Sequence, residues 1–139
     1  MLDTNVVSEP MKASGDPAVT AWLDRQVADT LYLTATSLSE LLLGLELLPA
    51  GLRRTGLGSA LAELLANLFG PRILPFDQPA ARAYATLVGR ARAAGQAVSV
   101  ADGQIAATAA VRGFAVATRD TAPFAAAGVP VINPWQAGK

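Results

Sequence analysis

The sequence contains no cysteine, no histidine and only two lysines among its 139 residues. Without cysteine, the chain forms no disulfide, no thiolate metal site and no thiol nucleophile. Without histidine, it lacks an imidazole general base and the usual ligand of zinc. Phosphate-loop, dinucleotide-binding and nucleophile-elbow motifs are also missing from the sequence. Any chemistry must therefore come from carboxylates, hydroxyls, amides and the guanidinium groups of nine arginines.

Charge is also scarce. Charged residues make up 16% of the sequence, the formal net charge is zero and 52% of the residues are hydrophobic. This length and composition predict one folded domain over residues 1–139. The neutral net charge does not by itself indicate a nucleic-acid partner. No secretory leader is predicted, because the sequence does not open on a basic and then apolar segment. No membrane helix is predicted either, because prolines interrupt the uncharged stretch 121–138, and we expect a cytoplasmic protein.

Four of the eleven acidic residues lie in apolar stretches that otherwise read as buried: Asp3, Glu40, Asp102 and Asp120. Removing a carboxylate from water without a partner costs several kcal/mol. The sequence offers few lysines and no histidines as partners. A divalent cation is the simplest compensating charge, and ligands that are all oxygen favour magnesium or manganese.

The hydrophobic pattern alternates strands with helices, which predicts a three-layer α/β fold with a parallel sheet. We expect strands ending at Asp3 and covering 31–34, 73–76, 114–118 and 129–133. We expect helices after Asp16, from Ser37 to Pro49, from about Leu57 to Gly70, from Asp77 to Gly95, from Ser99 to Val111 and over 122–126. Val27 and Leu42 are predicted to lie on the inward faces of the first two of these helices.

This arrangement brings the acidic residues toward one edge of the sheet, since parallel strands bind ligands beyond their carboxyl ends. Asp3 and Asp120 directly follow strands, and Glu40 is predicted in the first turn of the helix after strand 31–34. Asp102, in the first turn of the Ser99 helix, reaches the same edge only if the preceding helix–helix connection returns there. A pocket of this kind suits phosphodiester hydrolysis by a metal-activated water.

Two alternatives remain open at the level of the residues. Ser37 with Glu40, and Ser99 with Asp102, have the spacing of helix capping boxes, so a binding or regulatory domain whose acids only cap helices is possible. Glu9, Glu46, Glu63 and Asp77 have simple surface or capping explanations. Another metal-dependent phosphohydrolase is the second alternative, although the haloacid-dehalogenase motif requires an aspartate where Asn5 stands.

Several segments resemble, in the correct order, those of PIN-domain ribonucleases. They are residues 2–10 (LDTNVVSEP), 39–41 (SEL), 99–107 (SVADGQIAA), 117–120 (ATRD) with Phe124, and 131–135 (VINPW). Together they are similar to the VapC toxins of type II toxin–antitoxin systems, most closely to the FitB-like branch.

This resemblance implies a PIN-like three-layer α/β/α sandwich with a central, mostly parallel sheet. It implies a toxin with magnesium- or manganese-dependent endoribonuclease activity on structured RNA of the tRNA or rRNA class. It also implies a homodimer, inhibition by a cognate antitoxin, and binding of operator DNA only through that antitoxin.

Residue by residue, the resemblance assigns metal-site roles to Asp3, Glu40, Asp102 and Asp120, with Asn5 and Thr118 in support. Pro123 stands where many relatives carry an acid, so Asp120 serves that side of the site alone. The leucine-rich helix 38–48 is a candidate surface for dimerisation or antitoxin binding. Trp22 and Trp135 are interpreted as packing residues. Arg53, Arg54 and Arg119 could contact RNA phosphates, or could be simply solvated.

Overall fold

The structure, a computed structural model, describes residues 1–136. The α-helices are α1 Thr4–Ser8, α2 Pro17–Asp24, α3 Ala35–Glu46, α4 Leu52–Glu63, α5 Gln78–Ala93, α6 Val100–Arg112 and α7 Thr121–Ala126. The strands are β1 Leu33–Thr34, β2 Ile73–Leu74, β3 Val116–Ala117 and β4 Val131–Ile132. Short 3₁₀ turns cover Glu9–Met11 and Ala28–Thr30, and a π-helical segment Leu64–Phe69 extends α4.

The N-terminal segment, residues 1–3, lies at the centre of the sheet. β1 pairs in parallel with β2, and β3 pairs in parallel with β4. Leu2 forms a parallel bridge with Ala117, and its N–H donates to the carbonyl oxygen of Tyr32 at 2.8 Å. The spatial order is therefore β2, β1, N-terminal segment, β3, β4, with the order reversing at Asp3. In register, the paired residues are Leu33–Ile73, Thr34–Leu74, Val116–Val131 and Ala117–Ile132.

Helices cover both faces of this sheet. Strand residues divide between two apolar clusters, with Leu2, Leu33 and Ala117 in one and Met1, Leu74 and Val116 in the other. Because successive side chains of a strand point to opposite faces, the clusters lie on opposite sides of the sheet. The first cluster includes residues of α1, α2 and the π-helical segment, and the second includes residues of α6 and α7. The predicted three-layer α/β/α sandwich with a parallel sheet is confirmed.

Polar side chains begin most of the longer helices, as predicted. Asp16, Asp77 and Ser99 accept hydrogen bonds from the backbone N–H groups of the first turns of α2, α5 and α6. The prediction for α3 is wrong: the helix begins at Ala35, because the Thr34 hydroxyl accepts from the N–H of Ser37 at 2.9 Å. Glu40 consequently lies in the second turn of α3 and not in the first.

Other predicted boundaries also shift. The predicted strands are two or three residues longer than the paired segments, because strand periodicity continues after the ladder hydrogen bonds stop. α4 begins at Leu52 and not near Leu57. Val27 is 67% exposed because α2 ends at Asp24, and Leu42 is 46% exposed on α3. No helix in the described range combines the length and hydropathy needed to span a bilayer.

A close approach of α5 and α6 fixes the start of α6. A Cβ placed on Gly103 would lie 2.7 Å from a ring carbon of Tyr84 and 2.8 Å from a methyl carbon of Val88. Glycine at this position therefore lets α5 pack directly against the first turn of α6. This packing fixes the position of Asp102, which directly precedes Gly103.

Candidate active site

Asp3 is the most buried acid of the candidate site. It follows the central segment of the sheet, where its N–H donates to the carbonyl oxygen of Ala117 at 2.9 Å. Its side chain is 6% exposed. Oδ1 accepts from the N–H of Thr4 at 2.8 Å, and Oδ2 accepts from the hydroxyl of Thr118 at 2.8 Å. The carboxylate is therefore held from both sides at the carboxyl edge of the sheet.

The hydroxyl of Thr118 joins three segments of the chain. It is fully buried and accepts from the N–H of Asp120 at 3.0 Å and from Nδ2 of Asn5 at 3.4 Å. A hydroxyl has a single hydrogen and two lone pairs. Because the two N–H donors use the lone pairs, the hydrogen is left for Asp3. Thr118 therefore favours the ionised form of the Asp3 carboxyl.

α1 connects this cluster to α3 and to the loop before α7. The hydroxyl of Thr4 donates to Oε1 of Glu40 at 2.7 Å. Oδ1 of Asn5 accepts from the N–H of Arg119 at 3.4 Å. Glu40 therefore reaches the Asp3 cluster, although it lies one turn farther along α3 than predicted.

Asp102 and Asp120 lie at the starts of α6 and α7. Asp102 is half-buried in the first turn of α6, where its N–H donates to Oγ of Ser99 at 3.1 Å. Asp120 is exposed at the start of α7, and its side chain makes no capping hydrogen bond there. Both line a hollow of about 450 Å³ whose wall includes Gln96 and Pro123.

Burial and mutual repulsion disfavour the charged forms of two of these acids. Burial raises the pKa of Asp3, and the carboxylates of Asp102 and Glu40 raise it further, against the hydrogen bonds from Thr118 and Thr4. Burial also raises the pKa of Asp102, with Asp120 and Glu40 adding to the effect and Ser99 opposing it. Among residues 1–136, no cationic side chain contributes to either shift. The acids thus form one electrostatic cluster.

The donor set suits a hard divalent cation. Within residues 1–136, no three acidic side chains converge closely enough to ligate a single ion together. Magnesium, however, keeps several waters and is commonly held by one or two carboxylates. The side chains that face the cluster supply carboxylate, hydroxyl and amide oxygen, with no softer ligand, and a cation would offset the raised pKa values of Asp3 and Asp102. These residues fit a magnesium or manganese ion.

The capping interpretation of Glu40 is wrong. The Ser37 hydroxyl is buried and has no hydrogen-bond partner among the described residues. The Glu40 carboxylate bonds instead to Thr4, which is 36 positions away in the sequence. A capping box would have joined Ser37 and Glu40 within α3.

A larger groove opens beside the acidic cluster. Its volume is about 950 Å³, and it runs between residues 4–14, α3 and α4. Thr4 and Glu40 lie in its wall, and Lys12 and Arg53 supply cationic groups. Its apolar wall includes leucines of α3, of α4 and of the connection between them, namely Leu41, Leu45, Leu48, Leu57 and Leu61.

The interpretation of Glu9 as a simple surface acid is wrong. Its side chain is buried, with Oε1 accepting from the N–H of Asp16 at 3.0 Å and Oε2 pairing with Nζ of Lys12 at 3.1 Å. The hydrogen bond from Asp16 is the largest of the effects that lower the pKa of Glu9, and the charges of Lys12 and Arg119 contribute. Periodicity could not reveal this role, because the partners lie in an irregular loop.

The fold and the acidic edge together define a class: three-layer α/β proteins with an all-oxygen site where the strand order reverses. Within that class, the family model described as PIN domain matches residues 1–129. The chain belongs to the PIN-domain family, as the sequence motifs predicted.

Relatives and solved structures agree with this assignment. VapC ribonuclease Y4jK of Sinorhizobium fredii (strain NBRC 101917 / NGR234) is 53% identical over 137 residues, which cover 98% of this chain and 97% of the relative. Toxin FitB of Neisseria gonorrhoeae (strain ATCC 700825 / FA 1090) is 45% identical over 135 residues, covering 97% of each chain. A chain in the solved structure of FitAB bound to an IR36 DNA fragment superposes with a TM-score of 0.94 at 43% identity, covering 99% of this chain and 96% of that chain.

Proposed function

We propose that this protein is the toxin of a type II toxin–antitoxin system and a magnesium- or manganese-dependent endoribonuclease. The observation that carries the proposal is the buried Asp3 carboxylate, whose neighbours include Asp102 and Glu40 but no cationic group that shifts its pKa. The relatives named VapC ribonuclease and Toxin FitB support the same activity and role. The substrate we propose is structured RNA of the tRNA or rRNA class.

Each acid has a proposed task. Asp3 and Asp102 are the direct metal ligands, and Glu40 and Asp120 complete the pocket and orient the attacking water. Thr118 and Asn5 act in support, because their hydrogen bonds hold the Asp3 carboxylate and the Asp120 backbone. A bound divalent cation would lower the pKa of its water and polarise the phosphodiester, so no protein nucleophile is needed.

Magnesium or manganese is expected to raise the melting temperature of the protein. At a concentration a hundred times the dissociation constant, binding to the folded state adds about 2.7 kcal/mol of stability. Thermal unfolding and calorimetric titration, each with and without EDTA, measure this effect. Asp102→Asn is expected to lose most of it, because the remaining acids cannot replace a direct ligand.

Glu63→Gln removes the same charge from the exposed end of α4 and serves as the matched control. It should bind the metal as the unmodified protein does. Metal binding that is absent, or equal in all three proteins, would favour a domain whose acids have no metal-dependent role.

We propose that the groove between α3 and α4 binds a segment of the cognate antitoxin. The groove has an apolar wall and includes Thr4 and Glu40 in its polar part, so a bound segment would cover Glu40 and the side of the acidic cluster that it forms. FitAB, in the similar solved structure, is bound to DNA. With a net charge of zero, the present chain is proposed to bind operator DNA only through its antitoxin.

A homodimer is proposed to use the leucines of α3 and α4 that point away from the groove. Leu43 is 58% exposed, Leu47 75% and Leu52 93%. Leu43 and Leu47 are four residues apart, so they lie on the same side of α3 at its C-terminal end, and large contiguous apolar patches are uncommon on monomeric proteins. Sedimentation measurements with and without Leu43→Glu test whether this surface joins two copies.

Leu45→Glu is expected to weaken antitoxin binding by at least about thirtyfold, which corresponds to the loss of a contact worth about 2 kcal/mol. The substitution puts a charge into the apolar wall of the groove at a position that is only partly buried, so the fold should survive. The binding partner for the measurement is the proposed antitoxin, sought as a small protein encoded next to this gene, co-expressed and titrated by calorimetry. Val111→Glu, on an exposed apolar residue of α6, is the control. Equal affinity in the two variants would contradict the groove assignment.

A further inference from the structure

We propose that Arg119 binds an RNA phosphate beside the cleavage site and so fixes the direction in which the strand crosses the acidic cluster. The inference rests on the ribonuclease function proposed above. It concerns the strand bound next to the reacting phosphate, and it assigns Arg119 no part in bond cleavage.

The backbone of Arg119 is tied into the site on both sides. Thr118, which precedes it, donates to Asp3, and the N–H of Asp120, which follows it, donates to Thr118. The N–H of Arg119 itself donates to Oδ1 of Asn5 at 3.4 Å. Arg119 therefore starts from a fixed point at the rim of the acidic cluster.

The guanidinium group is held on an aromatic face. Its central carbon lies 5.3 Å from the ring centroid of Trp135, which is only 7% exposed. The backbone N–H of Trp135 in turn donates to Oδ1 of Asn133 at 3.0 Å. This cation–π contact restrains the guanidinium group beside the indole ring, and its N–H groups make no hydrogen bond to the described residues. Because the guanidinium group is already restrained, less conformational entropy is lost when it binds two oxygens of one phosphate.

The positive charge of Arg119 is not used up by the acids of the site. Arg119 belongs to none of the ion pairs among residues 1–136. Its charge contributes to lowering the pKa of Glu9, whose two oxygens already bond to the Asp16 N–H and to Lys12. The charge of Arg119 is not among those that shift the pKa of Asp3 or of Asp102. The guanidinium stays beside the acidic cluster without neutralising it.

This separation of charges suits a polyanionic strand. The four acids repel an approaching RNA backbone, and the guanidinium of Arg119, whose backbone N–H is bonded to Asn5 at the rim of the cluster, offsets part of that repulsion. Lys12 and Arg53, the cations of the large groove, lie on the side of α1 that contains Thr4 and Ser8. Arg119 instead lies beside Asn5 and Trp135. The strand would therefore leave the acids toward Trp135.

A structural role is the alternative: Arg119 could do no more than hold Trp135 in place. Binding of a short, fluorescein-labelled single-stranded RNA of mixed sequence distinguishes the two roles. It is measured by anisotropy over a range of salt concentrations, with calcium replacing magnesium to suppress cleavage. Arg119→Gln, Arg119→Lys and the unmodified protein are compared, and thermal unfolding is recorded for each. The matched control is Arg112→Gln, an exposed arginine at the opposite end of α6 from Asp102, about 15 Å along the helix axis.

Arg119→Gln is expected to weaken RNA binding roughly tenfold to a hundredfold, the range for losing a charge-assisted hydrogen bond. The slope of log affinity against log salt should fall by about 0.7, as for one phosphate contact to a single strand. Arg119→Lys should keep the slope and recover part of the affinity, and Arg112→Gln should match the unmodified protein.

Variants that melt at lower temperature but keep the affinity and salt slope of Arg112→Gln would overturn the proposal in favour of the structural role. If the unmodified protein neither binds nor cleaves RNA, the proposed function fails and this inference fails with it.

Discussion

Asp102→Asn is expected to reduce RNA cleavage by roughly a thousandfold, the scale of losing a group that stabilises charge in the transition state. Asp102 is a proposed direct metal ligand, and its carboxylate already senses Asp120 and Glu40. Asparagine has nearly the same shape but carries no negative charge. Initial rates of magnesium-dependent cleavage of total RNA, followed by gel electrophoresis, measure the loss.

The same variant should be at least as stable as the unmodified protein in EDTA. Burial and neighbouring acids raise the pKa of Asp102 above its ordinary value of 3.8, so the folded state binds the proton more readily than the unfolded state. The stabilising contribution of this group is therefore present at low pH and lost as the pH rises through the raised pKa. As the pH rises over that range, the melting temperature of Asp102→Asn should exceed that of the unmodified protein by an increasing amount. A stable variant with full cleavage activity would contradict the assigned role.

Thr118→Val is expected to lower both stability and activity. It removes a buried hydroxyl that bonds to Asp3, Asn5 and the N–H of Asp120 at once. Leaving such partners unsatisfied costs about 1–3 kcal/mol. Because Asp3 also loses the contact that orients it, cleavage should fall roughly tenfold to a hundredfold, as for supporting residues of metal sites. Urea unfolding and cleavage rates measure the two effects.

Thr118→Ser is the matched control, since it keeps the hydroxyl and removes only a methyl group. The loss of that methyl group costs about 0.8 kcal/mol of burial. Serine should therefore retain most of the activity while losing a little stability. Equal activity in the valine and serine variants would show that the hydroxyl does not support the Asp3 carboxylate.

Local rules predicted the parts of the site that lie close to strand ends and caps. Asp3 and Asp120 were placed correctly because each follows a strand, and parallel strands end at one edge. Asp16 and Asp77 were identified as caps because an aspartate before proline or a helical pattern has few other uses. The family motifs then supplied the order of the segments, and the PIN-domain assignment is confirmed.

Local rules could not predict contacts between segments that are far apart in the sequence. The start of α3 was misplaced because both Thr34 and Ser37 are good capping residues, and only the end of β1 decides between them. The position of Asp102 depends on the packing of Tyr84 against Gly103, which no periodicity encodes. The burial of Glu9 depends on the loop that ends at Asp16. In each case tertiary packing selected among options that the local sequence left open.

The hydrogen bond between Asp3 and Thr118 joins residues 115 positions apart, and it delays the appearance of the active cluster during synthesis. Asp3 leaves the ribosome early, but its partners in the centre of the sheet emerge only after most of the chain has been translated. A nascent chain therefore carries its first acid without the threonine that orients it or the strand that holds it in place. The RNA cleavage proposed for this protein is therefore expected only after translation has passed Thr118.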